Sequence, residues 1–325
     1  MSWVQDDELV VATAQHTPPR GAYHCPRPPT SVTWSRSTRV LLRPQDCAVS
    51  GSTAGAGPYR QGWRRSATLP IYPACSKQGR TARLTLRSCE CFRLEMATYV
   101  LVPGAGGTPW YWHRLVPELL QRGHDAVAVN LPAGDDSAGL VQYADTVTDA
   151  GGDRTQLVLV AQSLAGFTAP LVCERLPVDL LVMLNAMVPA PGETPGQWWA
   201  NTDHSAARAE QADRNGRRLE DDPELLDAFF HDVPADVRAE AIAIGSPVQS
   251  PTPFTQPWPM KTWPDVPARF LQGGDDRFFP VEFQRRIVRD RLGITIDEMP
   301  GGHLIALSQP KELASRLETY RAENP

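Results

Sequence analysis

The sequence predicts an α/β protein built on a doubly wound, mostly parallel sheet. From Met96 onward, short apolar segments alternate with longer segments that have the period of amphipathic helices. The apolar segments are nearly continuous runs, as expected for strands that are covered on both faces. Such strand–helix alternation is typical of parallel sheets with right-handed crossovers, in which ligands bind at the carboxyl ends of the strands.

These segments define the expected elements in chain order. Apolar runs predict strands at 97–102, 125–130, 155–161, 179–185, 267–273 and 294–299. Longer segments with apolar residues three and four positions apart predict helices at 110–123, 139–150, 164–176, 281–292 and 310–323. Pro117 and Pro170 lie inside two of these helical segments and indicate a helix start, a bend or a distortion there.

The stretch at about 188–265 interrupts the alternation. It contains no clear strand, and it is too long for a simple loop. It holds helix-like runs at 221–230 and 235–245, followed by a proline-rich segment. We therefore expect a mostly helical cap insertion that covers the site.

Residues 1–95 differ in composition from residues 96–325. They carry 13 Lys and Arg against 6 Asp and Glu, whereas residues 96–325 carry 19 against 31. They are rich in Pro, Ser, Arg and Thr, and no helical or strand period persists. Such a segment buries too little apolar surface to offset the entropy of ordering, so we expect a disordered extension. A sharper hypothesis is that Met96 is the true start, which N-terminal sequencing of the native protein would test.

Several classes of partner are not indicated. The Lys and Arg residues of 1–95 do not cluster as in a basic arm for nucleic acid. Cys89 and Cys91 are separated by one residue, which is not a zinc spacing. No apolar run approaches the ~20 residues that span a bilayer, and the first residues lack the apolar core of a secretory signal. We expect a cytoplasmic protein that binds neither nucleic acid, membrane nor metal, and the sequence does not indicate its oligomeric state.

Ser163 stands between a predicted strand and a predicted helix, in the sequence VLVAQSLAGF. A serine hydroxyl is nucleophilic only when a base removes its proton, and the turn that presents it needs small neighbours. Ala161 and Ala165 occupy the positions of the glycines in the G-x-S-x-G turn, and Gly166 is expected to relieve the remaining crowding. Alone, this pattern also fits an ordinary Ala-rich strand-to-helix turn.

The loop after the first strand of this region, residues 103–107, reads PGAGG. A glycine-rich turn at a strand end brings backbone N–H groups close to a ligand. The spacing fits neither the dinucleotide fingerprint nor the P-loop, so we expect a loop that stabilises an oxyanion and no bound cofactor.

Acid and base candidates follow the last two predicted strands. Asp275 and Asp276 lie in GGDDRFFP, and His303 lies in MPGGHL. Both loops are expected at the same edge of the sheet as Ser163, since parallel strands share one carboxyl edge.

In this order, residues 96–322 resemble the α/β-hydrolases, in particular the branch of plant methyl-ester esterases and hydroxynitrile lyases and its bacterial relatives. The resemblance lies in the joint order of five stretches, YVLVPGAGGTPWYWHRLVPELLQRGHDAVAVNLPAG, LVLVAQSLAGFTAPLV, FFHDVP, WPDVPARFLQGGDDRFFP and GGHLIALSQP. It implies an α/β-hydrolase fold and the chain order Ser, Asp, His for a catalytic triad.

The resemblance implies a role for each member of the triad. Ser163 would be the nucleophile and His303 the base. Asp276 is favoured over Asp275 as the acid, because the family's Asp stands four residues before a proline, here Pro280.

The resemblance also implies oxyanion donors at the N–H groups of Ala105 and Leu164. The chain departs from the family at Pro103, where a His is usual, and at the two alanines of the serine turn. The lyases carry Thr in place of Gly104 and Lys in place of Leu304, so the resemblance favours an esterase over a lyase.

The leading hypothesis is a carboxylesterase that hydrolyses a small or medium ester through an acyl-enzyme. The alternatives are a non-hydrolytic protein of the same fold, either a lyase of the hydroxynitrile type or a ligand-binding receptor. Aromatic residues suggest an apolar substrate pocket, although packing of cap on core explains them equally well; they are Trp110, Trp112, Trp198 and Phe229.

Overall fold

The computed structural model of the chain describes residues 2–3, 12–13, 96–222 and 225–324. Ser2–Trp3 (β1) and Ala12–Thr13 (β2) pair as short antiparallel strands. Apart from these two strands, the disorder predicted for residues 1–95 concerns positions outside the described residues. The domain boundary near Met96 stays a prediction.

A six-stranded parallel sheet organises the rest of the chain. Its strands are Thr98–Val102 (β3), Asp125–Ala128 (β4), Leu157–Gln162 (β5), Val178–Leu184 (β6), Ala268–Gly273 (β7) and Asp297–Met299 (β8). The strand order is β4-β3-β5-β6-β7-β8, and every neighbouring pair is parallel. The chain runs outward from β3 to β4 and then returns past β3 to β5. The strand order therefore reverses between β3 and β5, which is where open α/β sheets bind ligands.

Both faces of the sheet are buried, which explains the continuous apolar runs of its strands. Val100 and Leu159 belong to one hydrophobic cluster, while Leu101 and Val160 belong to a second one. Successive residues of a strand point to opposite faces, so the four central strands β3, β5, β6 and β7 supply both clusters. The predicted doubly wound fold class is confirmed.

Helices cover the sheet as predicted, with two differences near prolines. The helices between β3 and β6 are Leu115–Gln121 (α1), Leu140–Gly151 (α2) and Ala169–Cys173 (α3). The helices predicted at 110–123 and 164–176 are each divided, because the 3-10 helices Pro109–Trp112 and Ser163–Phe167 precede α1 and α3. Pro117 and Pro170 both lie in the first turn of an α-helix, where a missing N–H costs nothing.

The insertion between β6 and β7 is helical, as the sequence predicts. Its helices are Pro195–Asn201 (α4), His204–Arg214 (α5), Leu226–Phe230 (α6), Ala235–Ile244 (α7) and Thr252–Thr255 (α8). A capping box starts α4, since the Thr194 hydroxyl accepts the Gln197 N–H and the Gln197 side chain accepts the Thr194 N–H. We call this insertion the cap.

Three helices complete the fold after the cap. They are Val281–Leu292 (α9), Ile305–Ser308 (α10) and Pro310–Glu323 (α11). The short helix α10 directly follows the loop that carries His303 and was not predicted. Among the residues that the structure describes, no helix is both long and apolar enough to cross a membrane.

Candidate active site

Ser163 lies at the turn from β5 into the 3-10 helix, at the carboxyl edge of the sheet. Its φ of 53° is in the left-handed region, which is uncommon for a residue with a side chain and costs ~1–3 kcal/mol. The Ser163 carbonyl accepts the Met187 N–H at 2.9 Å, which ties the turn to the chain that leaves β6. The surrounding structure thus holds the serine in its strained conformation.

Small residues allow the helix to return closely over the strand. Ala161 and Ala165 are fully buried and fit the turn in place of glycines. Residue 166, in contrast, has no room for a side chain, because a Cβ there would overlap the carbonyl oxygen of Met187. The closest approach is therefore at Gly166, in agreement with the sequence prediction that this glycine provides the room.

The structure brings the three predicted triad residues together. Ser163 Oγ lies 3.2 Å from His303 Nε2, and His303 Nδ1 lies 2.8 Å from Asp276 Oδ2. Asp276 and His303 are almost completely buried. Asp275, the alternative acid, is exposed, and its carboxylate accepts the Gly301 N–H at 3.1 Å instead.

Hydrogen bonds compensate the burial of the Asp276 carboxylate. Its Oδ1 accepts the N–H groups of Phe278 and Phe279 at 2.8 and 2.9 Å. Its Oδ2, which faces His303, also accepts the Gln272 side-chain amide at 3.2 Å. These donors stabilise the buried carboxylate, whereas the burial of an unpaired carboxylate would cost free energy.

The loop after β3 lies beside Ser163. Gly104 contacts the serine closely enough that a Cβ at residue 104 would clash with the Ser163 side chain. The N–H groups of Ala105 and Leu164, the predicted oxyanion donors, have no acceptor among the described residues. Leu164 lies in the first turn of a helix, where N–H groups have no intrahelical partner.

Asn185 is a buried residue of the site that the sequence analysis missed. It directly follows β6 and has a φ of 43°. Its amide donates to the carbonyls of Gly302 and His303 at 3.0 and 3.1 Å, and its oxygen accepts the Gly273 N–H at 2.7 Å. Asn185 thus joins the loop that carries the acid to the loop that carries the base. A polar residue at the carboxyl end of an apolar strand was the signal that could have revealed it.

The cap also forms hydrogen bonds with the same two loops. The Gln211 side chain donates to the Asp276 carbonyl at 2.9 Å, and the Asp232 carboxylate accepts the Gly302 N–H at 2.6 Å. Asp232 belongs to the FFHDVP stretch, to which the sequence analysis gave no chemical role.

The four predicted aromatic pocket residues have different surroundings. The Phe229 ring centroid lies 5.3 Å from that of His303, so this residue does border the site. Trp110 stacks on His113 and donates its indole N–H to Glu240 of α7. Trp112 and Trp198 are fully buried in the two hydrophobic clusters, and their contact with substrate stays a prediction.

His204 is an uncharged histidine at the joint between the cap and the sheet. Burial lowers its pKa to about 3, against a hydrogen bond to the Phe278 carbonyl that favours the protonated ring. Its Nε2 lies 2.7 Å from this carbonyl oxygen, and the aromatic rings of Trp198 and Phe279 pack around it. The ring therefore donates from Nε2 and stays neutral near pH 7.

The parallel sheet, the strained serine at the β5 turn and the paired histidine and carboxylate define an α/β-hydrolase. The model of the Alpha/beta hydrolase family matches residues 99–316, and the chain belongs to this family. Within the described part of the chain, no three His, Cys, Asp or Glu side chains are grouped so that they could hold a metal.

Individual relatives lie in the branch that the sequence suggested. Probable esterase PIR7A of Oryza sativa subsp. indica is 27% identical over 254 residues, which are 67% of this chain and 94% of the relative. An alpha-hydroxynitrile lyase of Arabidopsis thaliana is 23% identical and covers 69% of this chain and 97% of its own. The crystal structure of a pyrethroid hydrolase from Sphingobium faniae JZ-2 has a TM-score of 0.54 and 22% identity over 70% of this chain and 98% of that one, which is a likeness of fold.

Proposed function

We propose that the protein is a serine carboxylesterase in which Ser163, His303 and Asp276 form the catalytic triad. The observation that carries the proposal is the continuous contact from Ser163 Oγ through His303 to the buried Asp276 carboxylate, at the carboxyl edge of the sheet, where open α/β sheets bind ligands. The esterase names among the relatives support ester hydrolysis.

In the first half-reaction, Ser163 Oγ attacks the ester carbonyl carbon while its proton passes to His303 Nε2. The carbonyl π-electrons move onto the oxygen, which the Ala105 and Leu164 N–H groups stabilise. When the tetrahedral intermediate collapses, the C–O bond to the alcohol breaks and His303 gives the proton to the departing oxygen. Asp276 holds the His303 tautomer in which Nδ1 carries hydrogen.

In the second half-reaction, a water molecule repeats these steps on the acyl-enzyme. His303 takes a proton from water, the hydroxide adds to the acyl carbon, and the ester bond to Ser163 breaks. The Ser163 oxygen recovers the proton from His303, and a carboxylic acid leaves.

The decisive experiment is the Ser163→Ala variant with p-nitrophenyl acetate as substrate. We expect kcat to fall by about 10⁴–10⁶, since removal of a triad member leaves only a small residual rate. A fluorophosphonate probe should label the wild type rapidly and the variant not at all. Undiminished turnover in the variant would refute the assignment of the nucleophile.

The fluorophosphonate probe also distinguishes an esterase from a receptor. A receptor of this fold would be labelled slowly or not at all. Leu304 stands where the lyases carry Lys, and this apolar side chain offers no charge to a departing cyanide. Assays of cyanohydrin cleavage against ester cleavage test this difference. A screen of esters of graded length would identify the acyl and alcohol groups, and size-exclusion chromatography would give the oligomeric state. Cell fractionation would test the expected cytoplasmic location.

A further inference from the structure

Two glutamine side chains bind the loop after β3, one from the end of β5 and the other from the cap. Gln162 Oε1 accepts the Gly104 N–H at 3.0 Å, and Gln249 Oε1 accepts the Gly106 N–H at 2.8 Å. Farther along, the Gly107 N–H bonds to the Gly104 carbonyl at 3.1 Å. The Ala105 N–H, which lies between the two bound N–H groups, has no acceptor in the described part of the chain.

Both glutamines are themselves fixed. Gln162 is the buried last residue of β5, directly before Ser163. Gln249 lies between α7 and α8 of the cap, and its amide nitrogen donates to the Ser250 carbonyl at 2.8 Å and the Tyr143 hydroxyl at 3.2 Å. These two bonds use the nitrogen end of the Gln249 amide, so its oxygen must face Gly106.

The glycines of the loop allow this close approach. A Cβ at residue 104 would overlap the Gln162 side chain. Gly106 has a φ of 85°, and a Cβ there would overlap the ring of Pro247, two residues before Gln249. In the PGAGG sequence, glycine therefore stands at the two positions where Gln162 and Pro247 lie too close for a side chain. Alanine stands at the position between them.

We propose that Gln162 and Gln249 are positioning residues that aim the Ala105 N–H at the developing oxyanion. Each binds the peptide N–H next to that of Ala105, and because peptide units are planar, fixing both neighbours limits the rotation of the unit between them. A donor held in this way needs no reorganisation when charge forms on the substrate oxygen. This inference rests on the proposed esterase function and adds that the cap, through Gln249, takes part in setting the oxyanion site.

The test is the Gln249→Met variant, which keeps the side-chain length and removes the acceptor. We expect kcat/KM for p-nitrophenyl acetate to fall roughly 10–100-fold, less than the 10²–10³ found when a donor is removed outright. The inhibition constant of a trifluoromethyl ketone, which forms a tetrahedral adduct with the serine, should rise by the same factor while KM changes little. Gln162→Met should show the same pattern.

Gln142→Met is the matched control. Gln142 Oε1 also accepts a glycine N–H, that of Gly139 at 2.9 Å, but at the start of α2. This variant loses the same kind of hydrogen bond and should keep its kcat/KM and its inhibitor affinity. Thermal unfolding of all three variants identifies any that loses its fold. If either the Gln162 or the Gln249 variant is lost in this way, the other one tests the inference.

The outcomes separate this inference from the proposed function. If the wild type is labelled by a fluorophosphonate but Gln249→Met and Gln142→Met behave alike towards the ketone, the inference is wrong and the esterase assignment stands. If the wild type neither reacts with the probe nor cleaves esters, both are wrong. A selective loss of ketone affinity in the Gln162 and Gln249 variants supports the inference.

Discussion

At the scale of single residues, the two adjacent aspartates in GGDDRFFP have opposite environments and should respond differently to the same substitution. Asp276→Asn replaces an acceptor by an amide that donates to His303 Nδ1, which forces the wrong tautomer. The new N–H also faces the Gln272 amide, which donates to Oδ2 in the wild type. We expect kcat to fall about 10⁴-fold, as in other triads. Asp275→Asn keeps an oxygen for the Gly301 N–H and should change kcat less than about threefold, since exposed substitutions have small effects.

Steady-state kinetics of both variants with p-nitrophenyl acetate make this comparison directly. Each variant serves as the control for the other, because the residues are neighbours in one loop. A severe effect of Asp275→Asn together with a mild effect of Asp276→Asn would exchange their roles.

At the scale of elements, the serine turn depends on how closely the 3-10 helix approaches the chain after β6. Gly166→Ala should push Ser163 and Met187 apart, since the added Cβ overlaps the Met187 carbonyl. We expect a loss of about 1–3 kcal/mol in the free energy of unfolding, typical of overpacking, and a large fall in kcat. Gly134→Ala is the control, because its Cβ meets Val248 only at an ordinary 3.6 Å. Equal urea midpoints for the two variants would contradict this account.

The strands and the triad residues could be predicted from the sequence, whereas the residues that support the site could not. Strand positions could be predicted because strands buried on both faces require uninterrupted apolar runs. Ser163, Asp276 and His303 could be placed at one edge because parallel strands share it. The roles of Asn185, Gln162 and Gln249 could not, since each depends on a contact between segments far apart in the chain. Gly106 and Gln249 are 143 residues apart, and helical periodicity does not say which part of the cap lies on which loop.

At the scale of the whole molecule, the docking of the cap should make stability depend on pH through His204. In the unfolded chain this histidine titrates near 6.5, whereas burial lowers its pKa in the folded protein to about 3. Between these values the unfolded state binds more protons than the folded state, so the free energy of unfolding falls as the pH drops from about 6.5 towards 3. At pH 5 this loss amounts to about 2 kcal/mol, from ~1.4 kcal/mol per pH unit.

Urea unfolding at pH 7 and pH 5 tests this contribution in the wild type and in His204→Gln. The glutamine amide can still donate to the Phe278 carbonyl but does not titrate, so the variant should lose about 2 kcal/mol less between the two pH values. His113→Gln is the control for the substitution itself, because His113 is exposed and one of its ring nitrogens also lies 2.7 Å from a backbone carbonyl, that of Trp110. If His204→Gln loses as much stability as the wild type on acidification, then the neutral histidine at the base of the cap is not what links folding to pH. The acid sensitivity would then arise elsewhere in the molecule.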